Sequence, residues 1–135
     1  MELRLAVDDI VIALLHFAKI DNAIFTSDRE TIHRAFNNLK KENPEIMKKF
    51  NFRRRELFPE SAELDQALSN LDSCGLIERY NNAPRYYKIN KNHIRRAYND
   101  FSKELINKNG IAIEELEKLA ESFVRHVSAE TTVYA

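Results

Sequence analysis

The chain has few of the residues on which specialised folds depend. Its 135 residues include one cysteine, two glycines, three prolines and no tryptophan. A single cysteine excludes an internal disulfide and a zinc site built from several thiolates. So few glycines and prolines argue against an all-β fold with many tight turns. We therefore expect a mainly helical protein that needs no oxidising compartment.

A long apolar run is also missing. The most apolar stretch, residues 10–18, is too short to span a bilayer, and it follows Glu2, Asp8 and Asp9 rather than a basic region. We therefore expect no signal peptide, no membrane association and a cytoplasmic location. The hydrophobic content of 44% and the charged content of 31% are typical of a globular chain with the length of one domain.

Motifs of catalysis and of cofactor or metal binding are absent from the sequence. It has no glycine-rich phosphate loop, no H-E-x-x-H and no nucleophile elbow, and its four histidines are scattered singly. We expect no enzyme activity, no cofactor and no metal. His16 is expected in the core or at its rim, His33 on the solvent side of its helix, and Cys74 as a buried structural thiol.

The stretch from Leu57 to Asn90 has the clearest structural pattern. Ser61 can accept hydrogen bonds from the free N–H groups of a first helical turn, and Gly75 can take the left-handed conformation that ends a helix. Between them, apolar residues recur at helical spacing: Leu64, Ala67, Leu68 and Leu71. A polar turn then separates two short segments with the apolar and aromatic content of strands. The pattern predicts a helix over residues 61–74 followed by a β-hairpin.

Further elements are predicted on both sides of this stretch. The apolar run over residues 5–20 predicts a central, largely buried helix, and a brief strand is expected over residues 23–25. The capping box Ser27-Asp28-Arg29-Glu30 predicts the start of a second helix. After the hairpin, Asn92 is expected to cap a fourth helix, which residues 107–110 separate from a fifth.

The fifth helix carries apolar residues spaced 3, 4, 3 and 4 apart: Ile113, Leu116, Ala120, Phe123 and Val127. This spacing forms a heptad seam two repeats long, which has two explanations. The seam packs on the chain's own first or fourth helix, or it forms a homodimer with a second copy. Two repeats do not decide between these alternatives. We predict a domain over residues 1–90, a helical hairpin over 91–128 that packs or dimerises, and a tail over 129–135.

The order of elements over residues 5–90 resembles that of winged helix-turn-helix proteins. The residues that carry the likeness are Ser61-Ala62-Glu63-Leu64, Ala67-Leu68, Leu71, Gly75-Leu76-Ile77-Glu78-Arg79 and Tyr86-Tyr87-Lys88-Ile89. Their sequence pattern is similar to that of small prokaryotic and phage regulators, including PadR-like ones. The resemblance implies a mainly α fold with a small β-hairpin, a winged helix-turn-helix with two extra C-terminal helices. It also implies a transcriptional regulator that reads DNA with its third helix, residues 61–74, and touches it with a wing tip at 80–85.

The charges of the chain are unevenly distributed, although their sum is zero. Residues 31–60 carry eight basic and four acidic groups, and residues 76–100 carry six and two. If these two basic blocks converge, they form a positive surface that can hold double-stranded DNA by its phosphates. Amide side chains between the blocks can pair with adenine edges. The residues predicted to bind nucleic acid are Lys48, Lys49, Arg53, Arg54, Arg55, Gln66, Asn70, Arg79, Arg85 and Lys88.

The acidic third helix supports a different interpretation. It carries Glu63, Asp65 and Asp72 and has no basic residue. These carboxylates would oppose a polyanion, because phosphate neutralisation supplies most nonspecific affinity. In this alternative the fold is a protein–protein interaction module, either a complex subunit or an antitoxin-like inhibitor. Its acidic helix then meets a basic protein partner.

Overall fold

The structure, a computed structural model, describes residues 4–54, 57–81 and 85–133, with side chains of the last helix described as far as Val127. The described chain is mainly helical and contains a small antiparallel sheet, as the composition predicts. Arg55 and residues 82–84 of the predicted wing tip lie outside the described residues. Within the described ranges, no helix combines the length and the apolar character needed to cross a membrane.

The helices are α1 (Val7–Phe17), α2 (Arg29–Glu42), α3 (Ala62–Ser73), α4 (Lys91–Ala97), α5 (Lys103–Lys108) and α6 (Ile113–Val133). The strands are β1 (Ile24–Thr26), β2 (Arg53–Arg54), β3 (Pro59–Glu60), β4 (Ile77–Tyr80) and β5 (Tyr86–Ile89). A short 3₁₀ turn, Asp21–Ala23, leads into β1. A π-helical turn, Tyr98–Ser102, joins α4 to α5, so that these three pieces together occupy the predicted fourth helix.

α3 begins and ends where the sequence predicts. The hydroxyl of Ser61 accepts the N–H of Leu64 at 3.2 Å, and Gly75 closes the helix with a φ of 77°. The predicted apolar stripe of this helix is buried. Cys74, however, is exposed, and the prediction of a buried thiol is wrong. The residue lies at the C-cap, where the backbone leaves the helix and turns away from the stripe.

α2 and α4 begin at different residues from those predicted. Asp28, rather than Ser27, caps α2 by accepting the N–H of Thr31 at 3.1 Å, while Ser27 is buried. Asn90, rather than Asn92, caps α4, because the helix has already begun when the chain reaches Asn92. In both places neighbouring short polar residues compete for the cap, and the sequence pattern does not decide between them.

The main sheet is antiparallel and has the strand order β1-β5-β4. The short strand between α1 and α2 therefore pairs with the second strand of the later hairpin, Phe25 opposite Tyr87. Alternation along the strands places one set of side chains on the buried face: Phe25, Ile77, Tyr87 and Ile89. The other face carries Glu78, Tyr80, Tyr86 and Lys88. On this face the rings of Tyr80 and Tyr86 stack across the hairpin, with centroids 4.9 Å apart.

α1 is the central helix of the fold, as predicted. All six residues from Ile10 to Leu15 are buried, and the helix packs against α3, α4, α5 and α6. Polar contacts also fix its N-terminal turn. Asp8 accepts a hydrogen bond from the amide of Asn70 on α3 at 2.9 Å, and Asp9 accepts one from the hydroxyl of Ser102 at 2.8 Å. Apolar burial and side-chain hydrogen bonds thus hold α1 against both halves of the chain.

The seam of α6 is covered within the chain. Leu116, Ala120, Phe123 and Val127 are buried and Ile113 is half-buried. The helix packs on α1, α2 and β1, and the ring of Phe123 lies 5.5 Å from those of Phe25 and Phe36. Four of the five residues predicted to dimerise are therefore part of the core of one chain, which is the packing alternative. The helix itself continues to Val133, into the predicted tail.

We predict that Phe123→Ala lowers the free energy of unfolding by about 3–5 kcal/mol, because a large aromatic side chain leaves a cavity among three elements. Urea unfolding followed by circular dichroism measures the change. Glu121→Ala, an exposed neighbour on the same helix, is the matched control and should stay within about 0.5 kcal/mol of the parent. A Phe123→Ala protein as stable as its parent would contradict the packing described for α6.

Candidate nucleic-acid interface

Most of the exposed residues of α3 are small or uncharged. Ala62, Gln66, Ser69 and Ser73, spaced at helical intervals, are all exposed. The opposite side of the helix is buried against α1. The exposed face therefore differs from the average composition of the helix, which is acidic. The approach of a polyanion therefore depends on which of the three carboxylates lie on this face.

Two of the three carboxylates are held by other groups of the chain. Glu63 accepts the backbone N–H of Asn51 at 3.0 Å and the hydroxyl of Ser61 at 3.2 Å. Burial opposes its ionisation, but these hydrogen bonds outweigh it and lower the pKa of Glu63. Asp65 binds Arg29 and His33 of α2. Asp72, at the C-terminal end, is exposed and has no ion-pair partner among the described residues.

His33 is the buried centre of these contacts, and the prediction of a solvent-facing histidine is wrong. Its side chain is only 1% exposed. Nδ1 accepts the backbone N–H of Ser61 at 3.0 Å, which leaves Nε2 to donate to Asp65 at 2.8 Å. Helical spacing placed His33 off the apolar stripe, but the segment before α3 covers that side of α2. Burial lowers the pKa of His33 despite the neighbouring carboxylate, so the ring is neutral near pH 7.

Arg29 completes the contact between α2 and the start of α3. One end of its guanidinium lies 2.5 Å from Glu60 of β3 and the other 2.7 Å from Asp65. The guanidinium carbon of Arg29 also lies over the ring of Phe58, 5.5 Å from the ring centroid. The hydrogen bonds to Asp65 and Glu60 raise the pKa of Arg29. This arginine was not among the predicted site residues, although Arg29 and His33 stand four residues apart on one helical face, a spacing that could have drawn attention to them.

The two predicted base-reading amides are partly engaged with each other. The side chain of Gln66 donates to the amide oxygen of Asn70 at 2.9 Å, and that of Asn70 donates to Asp8. Asn70 is half-buried, whereas Gln66 is exposed. Gln66 is therefore the better placed of the two to meet a base edge.

The first basic block divides between two locations. Arg53 and Arg54 are exposed on β2, and Arg53 lines a cavity of about 320 Å³ with Asn51, Ala62 and Glu63 at the start of α3. Lys48 and Lys49 are also exposed, but they lie beside the turn between α5 and α6. The ammonium of Lys49 donates to the backbone carbonyl of Leu5. Of these four residues, Arg53 is thus the one that shares a cavity with the start of α3.

The second basic block includes exposed groups on the hairpin that follows α3. Arg79 lies opposite Tyr87, and Lys88 lies opposite Glu78, which offsets part of its charge. Arg85, beside the predicted wing tip, is exposed, and its carbonyl accepts the N–H of Ser27. Along the chain, Arg53 and Arg54 thus precede α3, and Arg79 and Arg85 follow it. Lys48 and Lys49 line a different cavity from the one that Glu78 and Lys88 of the hairpin line.

Comparison of the chain with family models, with curated protein sequences and with solved structures gave no significant match in any of the three.

We predict that the protein loses stability as the pH falls below about 6.5, where an unfolded histidine gains a proton. Because burial lowers the pKa of His33 in the folded protein, the unfolded state binds this proton more readily. One such group contributes up to about 1.4 kcal/mol per pH unit. Urea unfolding between pH 5 and 7.5, over roughly that window, measures the slope.

His33→Gln should reduce this slope and lower the free energy of unfolding at pH 7.5 by about 1–3 kcal/mol, because buried hydrogen bonds are lost. The slope that remains includes the contribution of His16, whose pKa burial also lowers. His93→Gln, at an exposed histidine, is the matched control for the substitution itself. Equal slopes in the parent and in His33→Gln would show that His33 does not act in this way.

Proposed function

We propose that the chain is a winged helix-turn-helix protein that binds double-stranded DNA, with α3 as the helix that enters the major groove. The observation that carries the proposal is the engagement of Glu63 and Asp65 by Asn51, Arg29 and His33. Because these contacts hold both carboxylates, the exposed face of α3 is small and largely neutral. The main carboxylates that still oppose DNA binding are then Asp72 and Glu78.

The connectivity of the sheet supports the winged-helix assignment. A helix, an edge strand, two helices and a hairpin follow one another, and the hairpin's second strand lies between its first strand and the edge strand. This arrangement places the hairpin directly after α3, where a wing would stand beside the recognition helix. The chain differs from a plain winged helix-turn-helix module in the segment between α2 and α3. It contains the β2–β3 ribbon and buried Ile46, Met47 and Phe50.

The roles follow from the positions of the side chains. Gln66 and Ser69, in the middle of the exposed face of α3, would reach base edges. Arg54 before the helix and Arg85 at the hairpin would bind phosphates on either side of the groove. Phosphate contacts fix the position of a protein on DNA, and base contacts select the sequence. We expect a regulator of transcription as the biological context, in line with the resemblance noted above.

The second candidate, a protein-interaction module, is favoured by Asp72 and by two exposed apolar side chains. Leu57 is 80% exposed and Phe101 66%. If the protein does not bind DNA, a basic partner should bind Asp72, and Asp72→Lys should release it. Asp65→Lys is unsuitable for this test, because it would also break the contacts with Arg29 and His33.

We predict that the protein binds a mixed-sequence DNA duplex and that affinity falls by orders of magnitude between about 50 and 200 mM salt, as expected when several phosphates are neutralised. Fluorescence anisotropy of a labelled duplex measures the dissociation constant at each salt concentration. No binding at the lower concentration would reject the proposal and leave the protein partner as the function to pursue.

Arg54→Ala and Arg85→Ala should each reduce the slope of log affinity against log salt by about 1, because each removes one phosphate contact. Ser69→Glu should weaken binding more strongly, since it places a carboxylate in the groove. Arg125→Ala, which removes an exposed arginine of α6, is the matched control for loss of charge. If Arg125→Ala weakens binding as much as Arg54→Ala and Arg85→Ala, the surface has been assigned to the wrong side of the molecule.

A further inference from the structure

A cavity of about 400 Å³ lies between the C-terminal end of α1 and α4, and none of its described lining residues belongs to α3. Its volume is within the range of small-ligand sites. One part of the lining is apolar and includes Ile20, Ile89 and Ile94; another part is basic and consists of Lys19, Lys91 and Arg95. We refer to these six residues as the α1–α4 pocket.

The positive charge of the α1–α4 pocket is not balanced. Lys19 and Lys91 are exposed and have neither a hydrogen-bond nor an ion-pair partner in the described part of the chain. Arg95 donates to the side-chain oxygen of Asn92 at 3.0 Å, which supplies no negative charge. Asp21 is the one carboxylate among the described lining residues. Three cations and a single anion around one open cavity create a site that attracts an anion.

Contacts between aromatic rings hold the side chains beside these cations in place. The ring of His16, which lines the cavity, stacks on Tyr98 at 4.3 Å with an angle of 13° between the planes. Phe17 meets both rings edge-on. Burial and the charge of Arg95 lower the pKa of His16, so that it offers a neutral ring near pH 7. Tyr98 begins the π-helical turn, and turns of this kind are frequent at functional sites.

The backbone at the rim of the cavity adopts an unfavourable conformation. Asn22 and Ala23 have φ angles of 60° and 56°, in the left-handed region that residues with a Cβ atom rarely enter. Ala23 is buried and lines the cavity. Strained residues of this type cluster at ligand sites, where the surrounding structure holds them in place. The strain thus lies at the same place as the unbalanced charge.

We propose that the α1–α4 pocket binds a small organic anion, a monocarboxylate with a short apolar body. Lys19, Lys91 and Arg95 would bind the carboxylate. The half-buried Ile20 would contact the apolar part, above Ile89 and Ile94, which are buried. The apolar wall distinguishes this site from a surface that holds a DNA phosphate. Inorganic phosphate has no apolar part and would gain no contact with the half-buried Ile20, so we expect it to bind more weakly than a carboxylate with an apolar body.

The test is a titration of the full, ¹⁵N-labelled chain at pH 7.5 with hexanoate and with benzoate, each to about 20 mM, a range suited to millimolar affinity. We expect saturable shifts of the amide resonances of residues 15–23 and 89–95. Hexan-1-ol, which lacks the charge, should bind at least about tenfold more weakly, and inorganic phosphate should also bind more weakly than the carboxylates.

The double variant Lys91→Gln/Arg95→Gln should lose at least about tenfold in carboxylate affinity, because two charge-assisted hydrogen bonds are removed. Arg96→Gln, one position along α4 and outside the described lining, is the matched control and should bind as the parent does. Spectra of the three proteins outside the pocket report whether the fold is kept.

Three results would overturn the proposal: no saturable shift with either carboxylate, unchanged affinity in the double variant, or binding of hexan-1-ol as tight as that of hexanoate. Binding of phosphate more tightly than either carboxylate would also overturn it and would indicate a phosphate-binding surface. No DNA is present in this experiment, so its outcome does not depend on the proposed function.

Discussion

The hydrogen bonds of one buried imidazole hold α2 to the start of α3. His33 accepts the backbone N–H of Ser61 and donates to Asp65, so both ring nitrogens are satisfied inside the protein. Ser61 is in turn the cap of α3 and is fully buried. A buried N–H without a partner would be costly, and the neutral ring is the group that prevents it. The buried side chain of His33 therefore helps to fix the position of α3, together with the ion pair of Arg29 with Asp65 and the packing of α3 on α1.

The same contacts determine the electrostatics of the exposed surface. Asp65 and Glu63 contribute to the acidity of α3, yet both are directed to partners within the fold. Arg29 neutralises Asp65 from α2 and reaches Glu60 on β3 as well. Net charge summed along a helix is thus a poor guide to the charge that a ligand meets. What matters is which carboxylates already have a cation or a donor beside them.

α1 connects the two candidate sites of this molecule. Its first turn is tied to α3 through Asp8 and Asn70, and its last turn forms one side of the α1–α4 pocket. Because the helix between them is buried along Ile10–Leu15, its two ends are parts of one rigid element. A ligand at the C-terminal end and DNA at α3 would therefore act on the same helix from opposite ends.

The sequence by itself determined the elements whose cause is local. The cap at Ser61, the stop at Gly75 and the apolar periodicity of α1, α3 and α6 depend on neighbouring residues only, and the structure contains all of them. Tertiary structure alone decided the burial of His33, the exposure of Cys74 and the packing of the α6 seam inside one chain. It also formed the β2–β3 ribbon and brought Lys19 and Arg95 together. These features depend on contacts between residues far apart in the chain, and periodicity shows which face of a helix is apolar but not which segment covers its other sides.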